Sequence, residues 1–242
     1  MRVFAGPNGS GKSTLQTLLP RSLLGFYINA DDIEATLRRD GFADLSCYGM
    51  KAPLTGIREF LLVSPLFSKA CGGIDPTDAF NIDGTCVSLV ARLRNSYAAA
   101  ALAEFVREEL IRTGISFTFE TVMSHPSKIE FMSRAKAAGF RVYLYFIATA
   151  DPRINIARVK SRVQSGGHDV PVDKILDRYG KSLNLLRDAI RNSNRAYIFD
   201  NSAQAEELMW LAECTDGKDI VVQVKTVSDW FTQHVLDRAD DV

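Results

Sequence analysis

The sequence predicts an α/β fold, in which an open and mostly parallel sheet carries helices on both faces and one segment is inserted. Three observations lead to this prediction. A glycine-rich loop directly follows a short apolar run at residues 1–5. Strand and helix patterns alternate along the second half of the chain. The segment FRVYLYFIAT at residues 140–149 is nearly all apolar, which is typical of a parallel strand buried on both faces.

The elements can be justified in order from the N-terminus. Residues 1–5 read as a strand, residues 12–19 as a helix that stops at Pro20, and GFYINADDI as a second strand that ends near Asn29. A helix is expected from about Asp32 to Arg39. Residues 41–95 scatter Gly, Pro and Cys among short apolar runs without a strand and helix rhythm, so we interpret them as an insertion.

Beyond residue 95 the alternation is regular. SYAAAALAEFVREELIRTG combines strong helix formers with apolar spacings of three and four, and Gly114 is expected to end the helix. Strands are predicted at ISFTFETV, FRVYLYFIAT, RAYIFDNS and DIVVQVK. Helices are predicted at PSKIEFMSRAKAAG, at the basic segment PRINIARVKSRVQ and at DKILDRYGKSLNLLRDAIRNS.

Composition limits the possible classes of protein. A chain of 242 residues with 46% hydrophobic content can bury a sizeable core. We expect one domain over residues 1–242, with the insertion at about 41–95 and a lid-like segment at about 153–181. Lysine plus arginine equals aspartate plus glutamate at 29 each, so no global field predicts binding to nucleic acid or to a membrane. The four cysteines form no C-x-x-C pair and no leader or membrane segment is evident, which favours a cytoplasmic location.

The loop GPNGSGKST is the strongest functional signal in the sequence. Gly6, Gly11, Lys12 and Ser13 match G-x-x-x-x-G-K-[ST] at every specified position, between a strand and a helix. Glycines permit positive φ, so backbone N–H groups can turn inward around a phosphate at the N-terminus of the helix. The motif predicts ATP-type nucleotide binding, with Lys12 on the β- and γ-phosphates and Ser13 as a ligand of Mg²⁺. We expect the nucleotide to be held by Gly6, Pro7, Asn8, Gly9, Ser10, Gly11, Lys12, Ser13 and Thr14.

Phosphoryl transfer to a hydroxyl also needs a carboxylate near the acceptor. Asp31 and Asp32 follow the second strand at its C-terminal end, the edge at which open α/β sheets bind ligands. One of the two is expected to accept the proton of the acceptor and the other to cap the following helix. We assign catalysis to Asp31 and capping to Asp32.

Other polar residues are expected near the acceptor. Glu120 ends the strand ISFTFE at the same edge, where it can hold substrate hydroxyls or a metal-bound water. Thr121 and His125 follow it and are further candidates for binding the acceptor. His168 lies in a glycine loop and can either touch the substrate or simply be a loop residue.

Two arginines are candidates for stabilising charge in the transition state. Arg158 and Arg162 are four residues apart, hence on one face of a helix, and are followed by the segment SGGHDVP. Their position predicts a lid that closes over the transferred phosphoryl group. A solvated helix face is the competing interpretation.

The string GPNGSGKST also occurs in ABC transporter ATPases, but the rest of their machinery does not follow. No apolar strand ends in Asp-Glu, and QSGGH at residues 164–168 contains only part of the signature of those ATPases. A small-molecule kinase therefore fits better than a transporter ATPase.

Taken together, these motifs resemble the zeta-toxin family of kinases, and more closely its chromosomal branch. The matching pieces are AGPNGSGKST, INADDI, FETV, ARVKSRVQSGGHDVP, ILDRYGKSL and YIFDNS, in the order and approximate spacing of the family. The resemblance implies a nucleotide-kinase-like P-loop fold and transfer of the γ-phosphoryl group of ATP to a nucleotide-sugar hydroxyl such as that of UDP-N-acetylglucosamine. It also implies a possible antitoxin partner, Lys12 and Asp31 as catalytic residues, Glu120 at the acceptor, and Arg158 with Arg162 in the lid.

Two departures bear on the substrate. The chain reads GGH in the lid where toxin members place another arginine. Residues 41–95 are much longer than the corresponding link in the chromosomal branch. Two alternatives to a kinase remain open. One is a P-loop ATPase that couples ATP to a protein partner, and the other is a nucleotide-binding module without catalysis.

Overall fold

The computed structural model describes residues 1–167, 169–203 and 208–237, apart from the side chain of Leu18. The chain divides into two compact units. The first unit comprises Met1–Leu24 and Thr118–Val242, and the second comprises Gly25–Phe117.

Ten strands are present among the described residues. In chain order they are β1 Arg2–Ala5, β2 Phe26–Ile28, β3 Phe42–Asp44, β4 Phe80–Asp83, β5 Cys86–Leu89, β6 Phe117–Thr121, β7 Tyr143–Ala148, β8 Arg195–Asp200, β9 Met209–Thr215 and β10 Asp219–Val222.

Eleven α-helices accompany these strands in the described part of the chain. They are α1 Leu15–Leu18, α2 Arg21–Leu24, α3 Ala30–Asp40, α4 Ile57–Val63, α5 Pro65–Cys71, α6 Ser96–Arg112, α7 Ser127–Ala137, α8 Pro152–Gln164, α9 Val172–Asn184, α10 Leu186–Arg191 and α11 Asp229–Phe231.

The first unit contains the mostly parallel sheet that the sequence predicts. Its strands lie in the order β10-β9-β8-β7-β1-β6. Strands β6, β1, β7 and β8 run parallel, whereas β9 and β10 are antiparallel to their neighbours. Because parallel strands end at one edge, the segments that follow β1, β6, β7 and β8 all leave from the same edge of the sheet. The predicted α/β fold class is confirmed.

One expectation about this sheet is wrong in detail, and one of its strands was not predicted. Strand β7 is not buried on both faces along its whole length, because Tyr143 and Tyr145 are half-buried while Leu144 and Phe146 are fully buried. Tyr145 instead stacks on Tyr197 of β8, with ring centroids 5.0 Å apart. Strand β9 was not predicted, since its mixed sequence MWLAECT lacks the alternation of a half-buried strand.

The helix predicted at residues 12–19 is shorter and less regular than expected. A 3₁₀ turn covers Lys12–Thr14 and is followed by the four-residue helix α1. Leu19 is already extended, as expected for a residue before Pro20. So short an element adds little dipole, and anion binding at the loop must come mainly from individual N–H groups and Lys12.

The second unit contains the whole of residues 41–95. Strands β3, β5 and β4 form a small antiparallel sheet in that order. Phe67 of α5 packs edge-on against Phe80 with centroids 5.3 Å apart, and Phe60 packs against Phe105 of α6 at 5.5 Å. The segment that reads as an insertion therefore folds with its own antiparallel pairing and aromatic packing.

The long helix α6 of the second unit begins where its sequence provides a cap. The side chain of Asn95 accepts hydrogen bonds from the backbone N–H groups of Tyr97 and Ala98, at 3.1 and 3.2 Å. Thr113 ends the helix, and Gly114 follows with φ of 70°. Among the described residues, no helix is both long and apolar enough to cross a membrane.

Candidate active site

The glycine-rich loop leaves the C-terminal end of β1 in the first unit. Gly6, Gly9 and Gly11 have φ values of 144°, 74° and 99°, a region in which residues with a side chain are strained. A Cβ atom at Gly6 would lie 2.0 Å from the carbonyl oxygen of Ile147. The loop conformation therefore depends on glycine for steric as well as conformational reasons.

Lys12 is buried against the loop from which it projects. Its Nζ donates hydrogen bonds to the carbonyl oxygens of Gly6 and Pro7, at 2.9 and 3.0 Å. The carboxylate Oε1 of Glu120 lies 4.0 Å from the same Nζ, and both side chains are largely shielded from solvent. A carboxylate and the loop lysine thus share one region of the sheet edge.

The residues after Glu120 connect the loop to the start of α7. The N–H of Gly6 donates to the carbonyl oxygen of Thr121 at 3.3 Å. The Thr121 hydroxyl accepts from the N–H of Met123 at 3.0 Å, which supports the positive φ of 56° at that methionine. His125 is exposed, and its Nδ1 accepts from the N–H of Ser127 at 3.2 Å, so it stabilises the turn into α7.

Helix α8 carries the predicted lid arginines. Arg158 is half-buried and donates from Nη2 to the carbonyl oxygen of Ala203 at 3.3 Å, while its buried Nη1 has no hydrogen-bond partner among the described residues. Arg162 is exposed, one turn further along the helix. His168 lies outside the described residues, so its expected contact with substrate stays a prediction.

The start of α8 is fixed by its cap. Asp151 accepts from the backbone N–H of Arg153 at 2.8 Å and from Nε of the same arginine at 2.7 Å. These hydrogen bonds hold the pKa of Asp151 below its usual value, and the bond from the Arg153 side chain contributes most to the lowering.

Asp31 and Asp32 lie in the second unit, in the first turn of α3. The predicted capping by Asp32 is wrong, because the helix begins at Ala30 and Asn29 is the cap. Asn29 is extended at the end of β2, and its Oδ1 accepts from the N–H of Asp31 at 3.0 Å. The local sequence NADD offers three capping side chains, and the position where the strand ends selects the first. Both aspartate side chains are exposed.

Two asparagines in contact with the glycine-rich loop were not predicted. Nδ2 of Asn155 in α8 donates to the carbonyl oxygen of Asn8 at 2.6 Å. Nδ2 of Asn201, directly after β8, donates to the carbonyl oxygen of Ser10 at 2.8 Å. The signal that could have found Asn201 is its place after a strand that ends at the same sheet edge as β1.

Asp200 is the buried residue next to Asn201. Its Oδ1 accepts from the N–H of Ser202 at 2.7 Å. Its Oδ2 accepts from Trp230 Nε1 at 2.7 Å and also from the hydroxyl of Ser228. The carboxylate therefore forms a local turn with Ser202 and also ties the segment around α11 to the end of β8.

The glycine-rich loop offers backbone N–H donors that suit a phosphate-bearing ligand. The N–H groups of Gly9 and Gly11 donate no hydrogen bond to any described residue. No group of three or more His, Cys, Asp or Glu within the described ranges could hold a metal ion. Mg²⁺ bound with a nucleotide needs fewer protein ligands, since it keeps several waters and takes phosphate oxygens.

A protein-family model matches part of the chain. The zeta toxin family model matches residues 94–206, which include Glu120, Asn155, Arg158, Arg162 and Asn201. An uncharacterized protein of Haemophilus influenzae is 42% identical over 69 residues, covering 28% of this chain and 49% of the relative. The matched segment therefore spans about half the length of that relative.

Comparison with solved structures shows a shared fold. The native AvrRxo1-ORF1:AvrRxo1-ORF2 complex has a TM-score of 0.55 at 15% identity, covering 99% of this chain and 64% of that chain. The same complex with ATP has a TM-score of 0.52 at 15% identity, covering 92% and 60%.

The family match and the shared fold concern different features of the chain. Over residues 94–206, somewhat less than half of the chain, the sequence matches the zeta toxin family, and these residues include strands of the mostly parallel sheet that carries the glycine-rich loop.

Proposed function

We propose that this protein is an ATP-dependent kinase of a small molecule. It transfers the γ-phosphoryl group of ATP to a hydroxyl of a nucleotide sugar such as UDP-N-acetylglucosamine. The observation that carries the proposal is the distance of 4.0 Å between Lys12 Nζ and Glu120 Oε1. A phosphate-binding lysine and a carboxylate suited to an acceptor hydroxyl are the two groups that must meet in such a reaction.

The loop binds the nucleotide in this proposal. Residues 6–14 surround the phosphates, with the N–H groups of Gly9 and Gly11, which donate to no described residue, as donors and Lys12 as the cation. Lys12 would exchange its contacts with the carbonyls of Gly6 and Pro7 for phosphate oxygens. Mg²⁺, held through the hydroxyl of Ser13 and phosphate oxygens, would neutralise part of the negative charge.

The acceptor hydroxyl is activated by a carboxylate. Asp31 accepts its proton as the oxygen attacks the γ-phosphorus, the bond from that phosphorus to the bridging oxygen breaks, and ADP leaves. Glu120, Thr121, His125 and His168 are proposed to bind the acceptor.

The arginines of α8 complete the proposed site. Arg158 retains a buried Nη1 without a hydrogen-bond partner among the described residues, so it has a donor left for an anion. Arg158 and Arg162 would stabilise charge on the transferred phosphoryl group.

Similar proteins support two further parts of the proposal. The AvrRxo1-ORF1:AvrRxo1-ORF2 complex is known with ATP and as an assembly of two proteins. We therefore propose ATP as the phosphoryl donor here and a protein antitoxin as a partner. Because ATP and nucleotide sugars are cytoplasmic metabolites, we propose a cytoplasmic location.

The proposal is tested by incubating the protein with Mg·ATP and a cell metabolite extract. Mass spectrometry should show one or more species that gain a single phosphoryl mass, and purified UDP-N-acetylglucosamine should be converted in the same way. Hydrolysis of ATP without any phosphorylated metabolite would overturn the kinase and favour an ATPase that acts on a protein partner. Phosphorylation of a different metabolite would keep the kinase and replace the acceptor.

A further inference from the structure

Two asparagine side chains hold the glycine-rich loop from the protein side. The amide of Asn155 is fully buried and donates to the carbonyl oxygen of Asn8. The half-buried amide of Asn201 donates to the carbonyl oxygen of Ser10. A carbonyl oxygen can only accept, so both side chains must present their NH₂ groups to the loop.

Both asparagines are held in place by further hydrogen bonds. Asn155 Oδ1 accepts from the hydroxyl of Thr149, and the carbonyl oxygen of Thr149 accepts from Tyr179 OH at 2.6 Å. Burial raises the pKa of Tyr179 to about 12, so it stays a donor at neutral pH. The N–H of Asn201 donates to the carbonyl oxygen of Ala148 at 2.8 Å. The amide of Asn155 therefore cannot turn away from the loop without losing Thr149, and the backbone bond of Asn201 fixes the position from which its side chain reaches the loop.

Two glycines of the loop are required by this close approach. A Cβ atom at Gly9 would lie 2.5 Å from the carbonyl oxygen of Asn155, and one at Gly11 would lie 2.4 Å from Asn201 Nδ2. Both distances are shorter than any normal carbon contact. The loop glycines therefore make room for the two asparagines as well as for a ligand.

The direction of each carbonyl fixes the direction of the next N–H. In a planar trans peptide, the carbonyl of one residue and the N–H of the following residue point to opposite sides. Holding the carbonyl of Asn8 toward Asn155 directs the N–H of Gly9 away from the protein. In the same way, holding the carbonyl of Ser10 toward Asn201 directs the N–H of Gly11 away from the protein. Neither of these two N–H groups has an acceptor among the described residues.

We propose that Asn155 and Asn201 are positioning residues that aim the N–H groups of Gly9 and Gly11 at the nucleotide phosphates. They act through the loop and touch neither substrate. Asn155 also lies three and seven residues before Arg158 and Arg162, on the same face of α8, so the same contact ties that helix to the loop. This inference rests on the proposed nucleotide site but not on the identity of the acceptor.

The test measures binding of Mg·ADP, which needs no acceptor. Asn201→Ala and Asn155→Ala should each weaken ADP binding about tenfold, because one preorganised hydrogen bond to a charged group is lost. Adenosine binding should not change, since it carries no phosphate. Asn192→Ala is the matched control, because Asn192 Nδ2 also donates to a backbone carbonyl, that of Asp188 at 2.9 Å, but at the end of α10.

Amide resonances of the loop give a readout that a merely structural role would not change. In the ¹⁵N-labelled wild type, Mg·ADP should shift the N–H signals of both Gly9 and Gly11. Asn201→Ala should reduce the shift of Gly11 more than that of Gly9, and Asn155→Ala should do the reverse. If the buried Asn155 variant does not fold, the Asn201 variant alone decides the proposal.

Two outcomes would overturn the inference. One is a wild-type Gly11 shift and wild-type ADP affinity in Asn201→Ala, and the other is an equal loss of ADP affinity in Asn192→Ala. A wild type that binds ADP but phosphorylates no metabolite would overturn the kinase proposal alone, while the glycine shifts would still decide the role of the asparagines. A wild type that binds no ADP would overturn both.

Discussion

The indole of Trp230 donates a hydrogen bond from Nε1 to Oδ2 of Asp200, over 2.7 Å, and both residues are buried. This bond connects the segment around α11 to the strand that ends beside the glycine-rich loop. A buried indole N–H needs an acceptor inside the protein, and a buried carboxylate needs donors that stabilise its charge. The bond between Trp230 and Asp200 meets both needs.

We expect Trp230→Phe to destabilise the protein by about 1–3 kcal/mol, because it leaves the buried carboxylate without one donor while keeping an aromatic ring. The free energy of unfolding in urea, followed by circular dichroism, measures the effect. Trp210→Phe is the control, since Trp210 is 40% exposed and its Nε1 donates to the carbonyl of Ala212 at 3.1 Å. A loss in the control as large as in Trp230→Phe would contradict the role of Asp200.

Glycine at position 11 is predicted to be indispensable for nucleotide binding. Gly11→Ala would combine strain at φ of 99° with a contact of 2.4 Å to Asn201, so the loop must move. We expect loss of measurable ADP binding by calorimetry. Gly139→Ala is the matched control, because φ there is 89° but nothing lies within 4 Å of the new Cβ. It should cost about 1–2 kcal/mol of stability and leave ADP binding intact.

The variant Glu120→Gln distinguishes effects on binding of the phosphoryl donor ATP from effects on the acceptor. Removal of a negative charge 4.0 Å from Lys12 should leave ATP binding unchanged or tighten it by a few-fold, because a carboxylate repels the triphosphate. If Glu120 binds the acceptor, kcat/KM for the phosphorylated metabolite should fall about tenfold or more. Weaker ATP binding with unchanged kcat/KM for the acceptor would count against this assignment.

Asp31→Asn is expected to lower phosphoryl transfer by about 10²–10⁴-fold while ATP binding stays within a few-fold of wild type. Asp32→Asn is a close control, because Asp32 is also exposed in the first turn of α3. Transfer assays with the phosphorylated product as the readout compare the two. Full activity of Asp31→Asn would remove this residue from the mechanism.

Acid should weaken the start of α8 through Asp151. Its pKa is lower in the folded protein than in the unfolded chain, so the stabilisation is fully present above the unfolded pKa of about 3.9 and is lost as pH falls through the folded value. Asp151→Asn keeps a capping oxygen but removes the titrating group. The difference in urea midpoint between wild type and Asp151→Asn should therefore shrink between pH 6 and pH 3. A difference that does not depend on pH would contradict this role for the ion pair with Arg153.

Much of the fold was accessible from the sequence because its signals are local. The spacing of Gly6, Gly11 and Lys12 predicted the loop. The alternation of strand-like and helix-like segments predicted β6, α7, β7, α8 and β8 in the correct order. The antiparallel strand β9 was not predicted, because apolar and polar residues do not alternate along it. The cap of α3 was misassigned because NADD contains several residues of equal capping ability, and the choice depends on where β2 ends.

By itself, the sequence determined that a phosphate-binding loop follows the first strand of an α/β sheet, since that motif and its periodicities are short-range properties. Only the tertiary structure brought Asn155 to Asn8 and Asn201 to Ser10, across 147 and 191 residues of chain. It also paired Asp200 with Trp230. No local pattern encodes such partners, because hydrogen bonds between distant residues arise only after the strands have been arranged in the sheet and their C-terminal ends brought to one edge.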